Sequence, residues 1–325
     1  MKLLVTGGLG FIGSNFILNT LSKDENVSIV NIDDKLFGSN TLSLEKIKDS
    51  KRYEFVKANI TNEKQISKLV KECDVVVNFA AESHVDRSIF NAKPFVDSNI
   101  LGVFTILQSI KKFDKKLIHI STDEVFGSLK SESADEKFRF NPSSPYSASK
   151  ASAEHLVNSF FVTYNCDCII TRCTNNYGPR QFPEKLIPKT ILYALNNKKI
   201  PIYGTGKNIR DWIHVNDHCD AIYQVLKNGK KGSSYNISSD NEIDNEIIIK
   251  KILLLMKKDE NMVEYVKDRP GHDFRYSMDS TKIRKELHWS PKIKFDEGLK
   301  NTINWYLENE QWWKNISQDK IVSNW

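Results

Sequence analysis

The sequence predicts an α/β protein, with a Rossmann-type doubly wound parallel sheet and a smaller mixed α/β lobe. In the first half of the chain, short apolar runs alternate with segments of helical periodicity, as in a parallel sheet covered by helices. The first apolar run leads directly into the glycine-rich segment 7–13. Beyond residue 178, proline and glycine become frequent and the candidate elements shorten. These three observations separate a large first lobe from a smaller second one.

Each strand of the first lobe is predicted from a run of β-branched and apolar residues. The six runs are Lys2–Thr6, Val27–Ile32, Tyr53–Lys57, Val75–Phe79, Leu117–Ser121 and Cys168–Arg172. Helical periodicity lies between them at Gly13–Leu21, Ile66–Lys71, Phe95–Phe113 and Tyr146–Tyr164. Two later helices are predicted over Asn216–Leu226 and Ile243–Met256. We expect residues 1–178, with about 210–239, to form the first lobe, and residues 179–209 with 240–325 to form the second.

The composition argues against several classes of protein. The chain has 325 residues, of which 40% are hydrophobic and 27% charged, and no run approaches the ~20 apolar residues of a membrane span. The net charge of +6 comes from scattered lysines, which do not form the basic stripe of a nucleic-acid-binding protein. The N-terminus enters a strand at once and does not resemble a signal peptide. We expect a cytoplasmic protein with reduced thiols, because the cysteines are odd in number and lack Cys-x-x-Cys spacing: Cys73, Cys166, Cys168, Cys173 and Cys219.

The glycine-rich segment has the spacing of a dinucleotide-binding turn. Gly7, Gly10 and Gly13 follow a strand and open a helix, where glycine lets the backbone approach a pyrophosphate and the helix amides attract it. The second strand ends in Asp33-Asp34, twenty residues after the last of these glycines. A carboxylate there binds ribose hydroxyls and repels a 2′-phosphate, so we expect NAD rather than NADP. Asn59-Ile60, after the third strand, are candidate adenine contacts.

Two groups of polar residues carry the predicted chemistry. Tyr146 and Lys150 are four residues apart on a predicted helix and therefore share a face. We expect the Lys150 ammonium, with the positive nicotinamide, to lower the pKa of Tyr146 so that its phenolate can remove a hydroxyl proton. Thr122-Asp123-Glu124 follow the fifth strand, at the sheet edge where doubly wound folds bind ligands. Adjacent carboxylates can act as an acid and a base, because like charges separate their pKa values.

Together these motifs resemble the extended short-chain dehydrogenase/reductase family. Within it, three segments are similar to the nucleotide-sugar 4,6-dehydratases: Ser-Thr-Asp-Glu-Val-Phe-Gly at 121–127, Ala80–Ser88 and Asn175–Pro188. The later segments Arg210–Val215 and Arg269–Tyr276 extend the resemblance over nearly the whole chain.

The resemblance implies an NAD-dependent dehydration of dTDP-glucose to a 4-keto-6-deoxy sugar. Thr122 would hold the sugar 4-hydroxyl while Tyr146 removes its proton and C4 passes a hydride to NAD. Oxidation at C4 acidifies the C5 hydrogen, which Glu124 would remove. Asp123, as a protonated acid, would help the C6 hydroxyl to leave as water, and the hydride would return to C6.

The resemblance also implies further binding residues and a partner. It adds Phe11, Ile12, Ala80, Ala81 and Asn99 to the cofactor contacts, together with Tyr146 and Lys150. The positive charges for a pyrophosphate are Lys185, Arg210 and Arg269. The other substrate positions are Ser83, His84, Arg87, Thr122, Asn175, Leu186, Pro201, Tyr203, Asn245 and His272. Similar enzymes are homodimers, often through a bundle of the helices predicted at Phe95–Phe113 and Tyr146–Tyr164.

Two residues differ from the family pattern, and one pair of histidines has a misleading spacing. Asn59 stands where an aspartate is usual, and Arg180 stands where a tyrosine or another neutral residue is expected. His214 and His218 have the i, i+4 spacing of a zinc pair, but Val215 occupies the place of the glutamate in a metalloprotease motif. We therefore predict no metal site.

The residues leave several functions open. UDP- or CDP-glucose are alternative substrates, because no residue reads the nucleobase. A related C4 epimerase or decarboxylase would share Tyr146 and Lys150 but would not need Asp123-Glu124. A catalytically silent NAD-sensing or scaffold protein could keep the glycine turn and lose the Tyr-Lys pair, which is intact in this chain.

Overall fold

A doubly wound parallel sheet forms the centre of the protein, as the sequence predicts. The computed structural model describes residues 1–314 and 316. The described strands are β1 (Lys2–Thr6), β2 (Ser28–Asp33), β3 (Tyr53–Lys57), β4 (Val75–Asn78), β5 (Lys116–Thr122), β6 (Cys168–Cys173), β7 (Asn175–Tyr177), β8 (Ile200–Tyr203), β9 (Ile209–His214), β10 (Ser234–Ile237), β11 (Glu242–Asp244) and β12 (Val263–Val266). Seven of them pair in the order β10-β6-β5-β4-β1-β2-β3, and each pairing is parallel.

Helices cover both faces of this sheet. The described helices are α1 (Phe11–Lys23), α2 (Glu63–Lys71), α3 (Val85–Phe90), α4 (Lys93–Val96), α5 (Val103–Phe113), α6 (Pro145–Tyr164), α7 (Leu186–Leu195), α8 (Val215–Asn228), α9 (Asn245–Leu255), α10 (Thr281–Leu287), α11 (Phe295–Glu308) and α12 (Glu310–Lys314). Short 3₁₀ turns lie at Thr41–Ile47, Asp123–Phe126 and Glu260–Met262. One apolar layer packs α1 and α8 on the sheet, and a second packs α5 and α6 on the opposite face.

The segment predicted as one helix over Phe95–Phe113 is interrupted in the structure. Between α4 and α5, residues Asp97–Gly102 form a π-helical turn. Two residues of this turn have partners outside the helix. The Asn99 side chain forms hydrogen bonds with the backbone of Glu82. Gly102 packs so closely on Ile60 that a Cβ on Gly102 would lie 2.3 Å from Ile60 Cδ1. Helical periodicity alone carries no sign of these partners, which come from other parts of the chain.

The second lobe is built on two small sheets. One is the three-stranded sheet β11-β9-β7, in which β9 is antiparallel to β11 and parallel to β7. The other is the parallel pair β12-β8. The predicted helix at Ile243–Met256 begins later, at Asn245, because Ile243 belongs to β11 and the Asp244 side chain caps α9 by accepting from the Ile247 amide.

The stretch 210–239, which was predicted to join the first lobe, is shared between the sheets. Strand β10 completes the large sheet and α8 packs against α1, whereas β9 pairs with β7 and β11. Residue 315 and residues 317–325, the end of the predicted second lobe, lie outside the described residues. All five cysteines are free and buried. Within the described part of the chain, we find no helix that is long and apolar enough to cross a membrane.

Candidate active site

A cleft of about 680 Å³ lies at the carboxyl ends of the large sheet's strands. The strand order reverses between β1 and β4, and doubly wound folds bind ligands at this point. Residues predicted for the cofactor, the chemistry and the substrate meet in this cleft. They are Gly7, Gly10, Phe11, Ile12, Gly13, Asp33, Asn59, Ile60, Ala80, Ala81, Ser83, His84, Thr122, Asp123, Glu124, Tyr146, Lys150, Asn175 and Lys185.

The glycine turn is shaped by close backbone contacts. Gly7 has φ +68°, and a Cβ there would lie 2.7 Å from Ala80 Cα. A Cβ on Gly13 would lie 2.5 Å from the carbonyl oxygen of Gly7. Helix α1 begins after Gly10, and among the described residues no side chain caps it. Its first amides can therefore bind an anion, so the turn fits the pyrophosphate of a dinucleotide.

Asp33 at the end of β2 supports the turn and also faces the cleft. Its carboxylate accepts hydrogen bonds from the Leu9 amide (3.1 Å), the Lys35 amide (2.8 Å) and the Ser39 hydroxyl (2.7 Å). A carboxylate can accept about four hydrogen bonds. Asp33 therefore fixes the glycine turn to the next loop and keeps acceptor capacity for a ribose hydroxyl.

Asn59, which differs from the family pattern, forms a hydrogen bond with Asp34. The Asn59 amide nitrogen donates to Asp34 Oδ2 at 2.9 Å, and its oxygen accepts from the Thr61 amide at 2.9 Å. An ionised aspartate at position 59 could not donate to Asp34 and would repel it. The asparagine thus lets two side chains that line the cofactor end of the cleft lie together.

Asn99 is a predicted cofactor residue that the structure places behind the cleft. It is 1% exposed. Its side-chain oxygen accepts from the Glu82 amide (2.9 Å), and its nitrogen donates to the Glu82 carbonyl (3.0 Å) and to Ser149 Oγ (2.9 Å). The amide is therefore occupied within the protein. Asn99 ties the loop that carries Ala80 to helix α6, and its direct contact with the cofactor stays a prediction.

The residues Thr122-Asp123-Glu124 turn sharply at the end of β5. Thr122 Oγ1 caps the short 3₁₀ turn by accepting from the Glu124 amide (3.3 Å), and it donates to Asp123 Oδ1 (3.0 Å). Burial and the neighbouring Glu124 charge raise the pKa of Asp123 to about 8. Burial also raises the pKa of Glu124, while the charges of Arg269 and Arg210 oppose this shift. The pair thus contains an acid that keeps its proton at neutral pH beside a half-buried carboxyl.

The Tyr146 and Lys150 side chains both reach the cleft from α6, and burial shifts the pKa of each. The pKa of Tyr146 is raised well above its usual value, because the side chain is buried and faces the charge of Glu124. Burial lowers the pKa of Lys150 to about 8, and its ammonium donates to the Ile120 carbonyl at 2.6 Å. These shifts describe the protein alone, and the predicted lowering of the Tyr146 pKa by Lys150 together with the positive nicotinamide stays a prediction for the NAD complex.

The segment 83–87 carries predicted substrate residues to the boundary between the lobes. Lys185 Nζ donates to the Ser83 carbonyl at 3.0 Å. His84 and Arg87 both lie 3.5 Å from Glu184 Oε2. Burial lowers the pKa of His84, which favours its neutral form, and raises the pKa of Glu184 to about 7. These contacts close one side of the cleft.

Eight predicted substrate residues lie outside the lining of the cleft. Arg210 donates to the carbonyls of Ile209 (2.7 Å), Phe274 (3.1 Å) and Asp273 (2.8 Å). Leu186 packs into the apolar core of the second lobe, Tyr203 ends β8 and Asn245 begins α9. The eight are Arg87, Leu186, Pro201, Tyr203, Arg210, Asn245, Arg269 and His272.

Sequence reasoning missed several residues of the site. Tyr276 is 3% exposed, donates to Asp273 Oδ2 at 2.7 Å and lies 3.5 Å from Glu124 Oε2. Phe37 and Phe182 line the cleft with ring centroids 4.8 Å apart. Glu184 also lines it. Tyr276 and Glu184 belong to the segments Arg269–Tyr276 and Asn175–Pro188 and could have been found there, whereas the Phe37–Phe182 contact has no local signal.

The two histidines with zinc-like spacing have separate structural contacts. His214 Nδ1 accepts from the Asn216 amide at the start of α8, and His218 Nδ1 lies 2.9 Å from Asn176 Oδ1. Burial lowers the pKa of His214 to about 4 and that of His218 to about 3. Across residues 1–314 and 316, no group of three or more potential ligands could hold a metal ion.

Arg180, the second departure, stabilises a junction between elements. The residue adopts φ +70°. Its Nη1 donates to Asn15 Oδ1 in α1 at 3.0 Å, and its guanidinium lies 5.6 Å from the centroid of the Trp305 ring in α11. A neutral tyrosine could not form this pair of contacts in the same way.

The parallel sheet, the glycine turn and the tyrosine–lysine pair on α6 define an extended short-chain dehydrogenase/reductase. The chain belongs to the family described as GDP-mannose 4,6 dehydratase, whose model matches residues 4–302. The resemblance inferred from the motifs is confirmed by relatives named dTDP-glucose 4,6-dehydratase. The Mycobacterium tuberculosis protein is 43% identical over 97% of this chain and 96% of its own length. The Escherichia coli protein is 42% identical over the same shares.

Solved structures show the same fold. A dTDP-glucose 4,6-dehydratase from Streptomyces venezuelae, with NAD bound, has a TM-score of 0.95 and 40% identity over 98% of this chain and 100% of its own. A Bacillus anthracis enzyme of that name, in complex with NAD, has a TM-score of 0.92 and 44% identity over the same shares. A UDP-glucuronic acid 4-epimerase from Bacillus cereus is more distant, with a TM-score of 0.89 and 29% identity over 95% of this chain and 99% of its own.

Proposed function

We propose that the protein dehydrates dTDP-glucose to dTDP-4-keto-6-deoxyglucose and regenerates its NAD in each cycle. The observation that carries this proposal is the pair Asp123-Glu124 beside Tyr146 and Lys150, with the pKa of Asp123 raised to about 8. An acid that holds its proton at neutral pH suits the expulsion of a hydroxyl group. The relatives of this name, similar over nearly the full length, support the assignment.

Each side chain has a distinct task in this proposal. Tyr146 takes the proton of the sugar 4-hydroxyl, which Thr122 positions. When bound, NAD accepts the hydride from C4 and later returns it to C6. Glu124 removes the C5 proton and returns a proton to C5 when the hydride adds to C6. Asp123 protonates the departing C6 hydroxyl, and the proton that Tyr146 took restores the acid. A neutral Asp123 also assists the first step, because an ionised carboxylate there would raise the pKa of Tyr146 further.

Binding of the cofactor rests on the residues at the other end of the cleft. The uncapped amides of α1 would hold the pyrophosphate, and Asp33 would accept from a ribose hydroxyl. For the lobes that frame the two ends we propose the division that the sequence predicts, 1–178 with about 210–239 and 179–209 with 240–325. We amend it by assigning strand β9 to the second lobe, in keeping with its pairing.

The variant Glu124→Gln separates oxidation from dehydration. We expect this variant to oxidise C4 in a single turnover, which is seen as NADH absorbance that persists. The rate of release of the 4-keto-6-deoxy product should fall by at least about 100-fold, within the usual range for loss of a general base. Glu72→Gln, an exposed glutamate on the surface, is the control and should behave as the wild type. Normal product release by Glu124→Gln would contradict the role of Glu124.

A panel of nucleotide sugars tests the substrate and the competing reaction. We expect a 4-keto-6-deoxy product with dTDP-glucose and slower turnover of UDP- and CDP-glucose. A C4 epimerase of the same family would return a sugar that still carries its C6 hydroxyl. Formation of a C4 epimer without loss of water would overturn the dehydratase assignment, and the preferred nucleotide would identify the base.

We further propose a cytoplasmic homodimer that pairs α5 and α6 with the same helices of a second copy. The free thiols support the compartment. Apolar side chains remain exposed on and next to these helices: Leu101 at 50%, Phe104 at 37%, Val162 at 71% and Tyr164 at 48%. Exposed apolar side chains on two neighbouring helices favour a protein interface. Val162→Glu should shift the mass measured by light scattering from dimer to monomer, and an unchanged mass would refute this interface.

A further inference from the structure

We propose that Asp86 is a positioning residue for the nucleotide diphosphate: it holds the guanidinium of Arg269 in the orientation that receives the phosphate oxygens. This inference rests on the proposed function and on the diphosphate contact that the family resemblance implies for Arg269. Asp86 lies in the first turn of α3 and is 4% exposed. Arg269 follows β12 in the second lobe, so the contact joins the two lobes of the protein.

The geometry shows how this carboxylate controls Arg269. Arg269 Nη1 donates to Asp86 Oδ1 at 2.7 Å. The Tyr203 hydroxyl, also from the second lobe, lies 3.5 Å from Asp86 Oδ2. The guanidinium is planar, so anchoring one nitrogen fixes the directions of the other N–H groups. Two residues predicted to bind substrate are thus oriented by one side chain of the opposite lobe.

A donor of Arg269 remains available beyond this ion pair. Its Nε is buried and makes no hydrogen bond among the described residues. A buried unsatisfied N–H is unfavourable, and a phosphate oxygen would satisfy it with a charge-assisted bond. The unpaired Nε–H of Arg269, oriented by the bond from Nη1 to Asp86, is the feature that points to an anionic ligand.

Asp86 also competes with the catalytic carboxylate for the same cation. The charge of Arg269 lowers the pKa of Glu124, against the effect of burial, so the guanidinium lies close enough to interact with that side chain. Asp86 and Glu124 both attract Arg269. The close contact with Asp86 keeps the guanidinium at the lobe boundary, whereas an unanchored arginine would be drawn toward Glu124 and away from a diphosphate.

The competing explanation is that Asp86 merely joins the lobes. Its neighbours do contact the second lobe, through the Ser83 carbonyl with Lys185 and through His84 with Glu184. A purely structural contact would affect folding and turnover together. A positioning role predicts weaker binding of the diphosphate with little change in kcat, so the two explanations are separable.

The first experiment uses Asp86→Asn, which keeps the shape and one acceptor but removes the charge. We expect the Kd for dTDP, measured by calorimetry, and the KM for dTDP-glucose to rise about 10-fold, while kcat stays within about twofold. The control is Asp296→Asn, which removes an exposed ion pair with Lys251 that lies on the surface of the second lobe. That variant should bind dTDP as the wild type does.

The second experiment is a double-mutant cycle with Arg269→Met. If Asp86 acts through Arg269, the double variant should bind dTDP as weakly as Arg269→Met alone. The double variant also removes both buried charges, and so avoids the instability of an unpaired carboxylate. Tyr203→Phe keeps the ion pair and guards against misfolding. We expect the affinity for dTDP to fall about threefold, since the hydroxyl makes only a long contact of 3.5 Å with the Asp86 carboxylate.

The outcomes distinguish this inference from the proposed function. If the wild type binds UDP or GDP but not dTDP, the proposed nucleotide is wrong, and the same cycle with the bound diphosphate still tests Asp86. Unchanged affinity in both Asp86→Asn and Tyr203→Phe, or additive effects in the cycle, would overturn the positioning role. Failure of the wild type to bind any nucleoside diphosphate would overturn both.

Discussion

The raised pKa of Asp123 makes a quantitative prediction about stability. The carboxyl group is 3% exposed, and burial beside Glu124 moves its pKa from an ordinary value of 3.8 to about 8. Between these values the unfolded chain releases the proton and the folded protein keeps it. The contribution of Asp123 to the free energy of unfolding is therefore greatest below pH 3.8 and is lost as the pH rises to about 8. The slope is about 1.4 kcal/mol per pH unit.

Replacing Asp123 with asparagine removes this titration and keeps the shape of the side chain. The free energy of unfolding of Asp123→Asn, relative to the wild type, should increase by about 3 kcal/mol between pH 5 and pH 7. Urea unfolding, followed by circular dichroism at several pH values, measures this difference. The variant should at the same time lose dehydration activity, because a residue needed for function can lower the stability of the folded protein.

The refuting result is a difference between the two proteins that does not change with pH. Such a result would mean that Asp123 is ionised in the folded protein and cannot serve as the acid. Asp49→Asn, at an exposed aspartate, is the matched control and should follow the wild type at every pH. If the control showed the same slope, the effect would come from net charge and not from the buried site.

Two further predictions concern the frame of the site. Three hydrogen bonds of 2.7–3.0 Å join Glu154 to Arg172, and the two side chains are 2% and 3% exposed. Glu154→Gln removes the charge of this pair, so the free energy of unfolding should fall by about 3–5 kcal/mol in urea titrations. A loss below about 1 kcal/mol would show that the pair is not desolvated. Because Glu154 also raises the pKa of Lys150, the same variant should shift the Lys150 titration to lower pH. Gly13→Ala places a Cβ 2.5 Å from the Gly7 carbonyl oxygen. If about 2 kcal/mol of overpacking strain falls on the turn, the affinity for NAD, measured by fluorescence, should fall about 30-fold. Unchanged affinity would show that the turn can relax.

Local sequence patterns were sufficient for the elements that frame the site. The strands around Lys2–Thr6 and Lys116–Thr122 were predicted to within one residue, because buried parallel strands require continuous apolar runs. The glycine spacing identified the cofactor turn, since few other residues permit such close backbone contacts. The segment 95–113 is helical as predicted, but the periodicity did not indicate its π-helical turn, whose partners Glu82 and Ile60 lie elsewhere in the chain.

The roles suggested for single residues depended on features that a sequence does not contain. Asn99 is assigned to the cofactor by the family resemblance, and only the structure shows that its amide also bonds to the Glu82 backbone. The pKa of Tyr146 is expected to fall when Lys150 and the positive nicotinamide act together, and only the structure shows that burial and Glu124 raise it in the protein alone. Burial and the distances between charges follow from packing, and both are needed to obtain the sign of a pKa shift.

The sequence by itself determined the class of fold, the cofactor turn and the presence of an acid pair beside a tyrosine and a lysine. These features depend on residues that are close in the chain, where spacing fixes which side chains share a face or an edge. The tertiary structure decided which carboxyl group keeps its proton, and it joined Asp86 to Arg269 across 183 residues. Such long-range contacts and the desolvation that comes with them arise only when distant segments pack together.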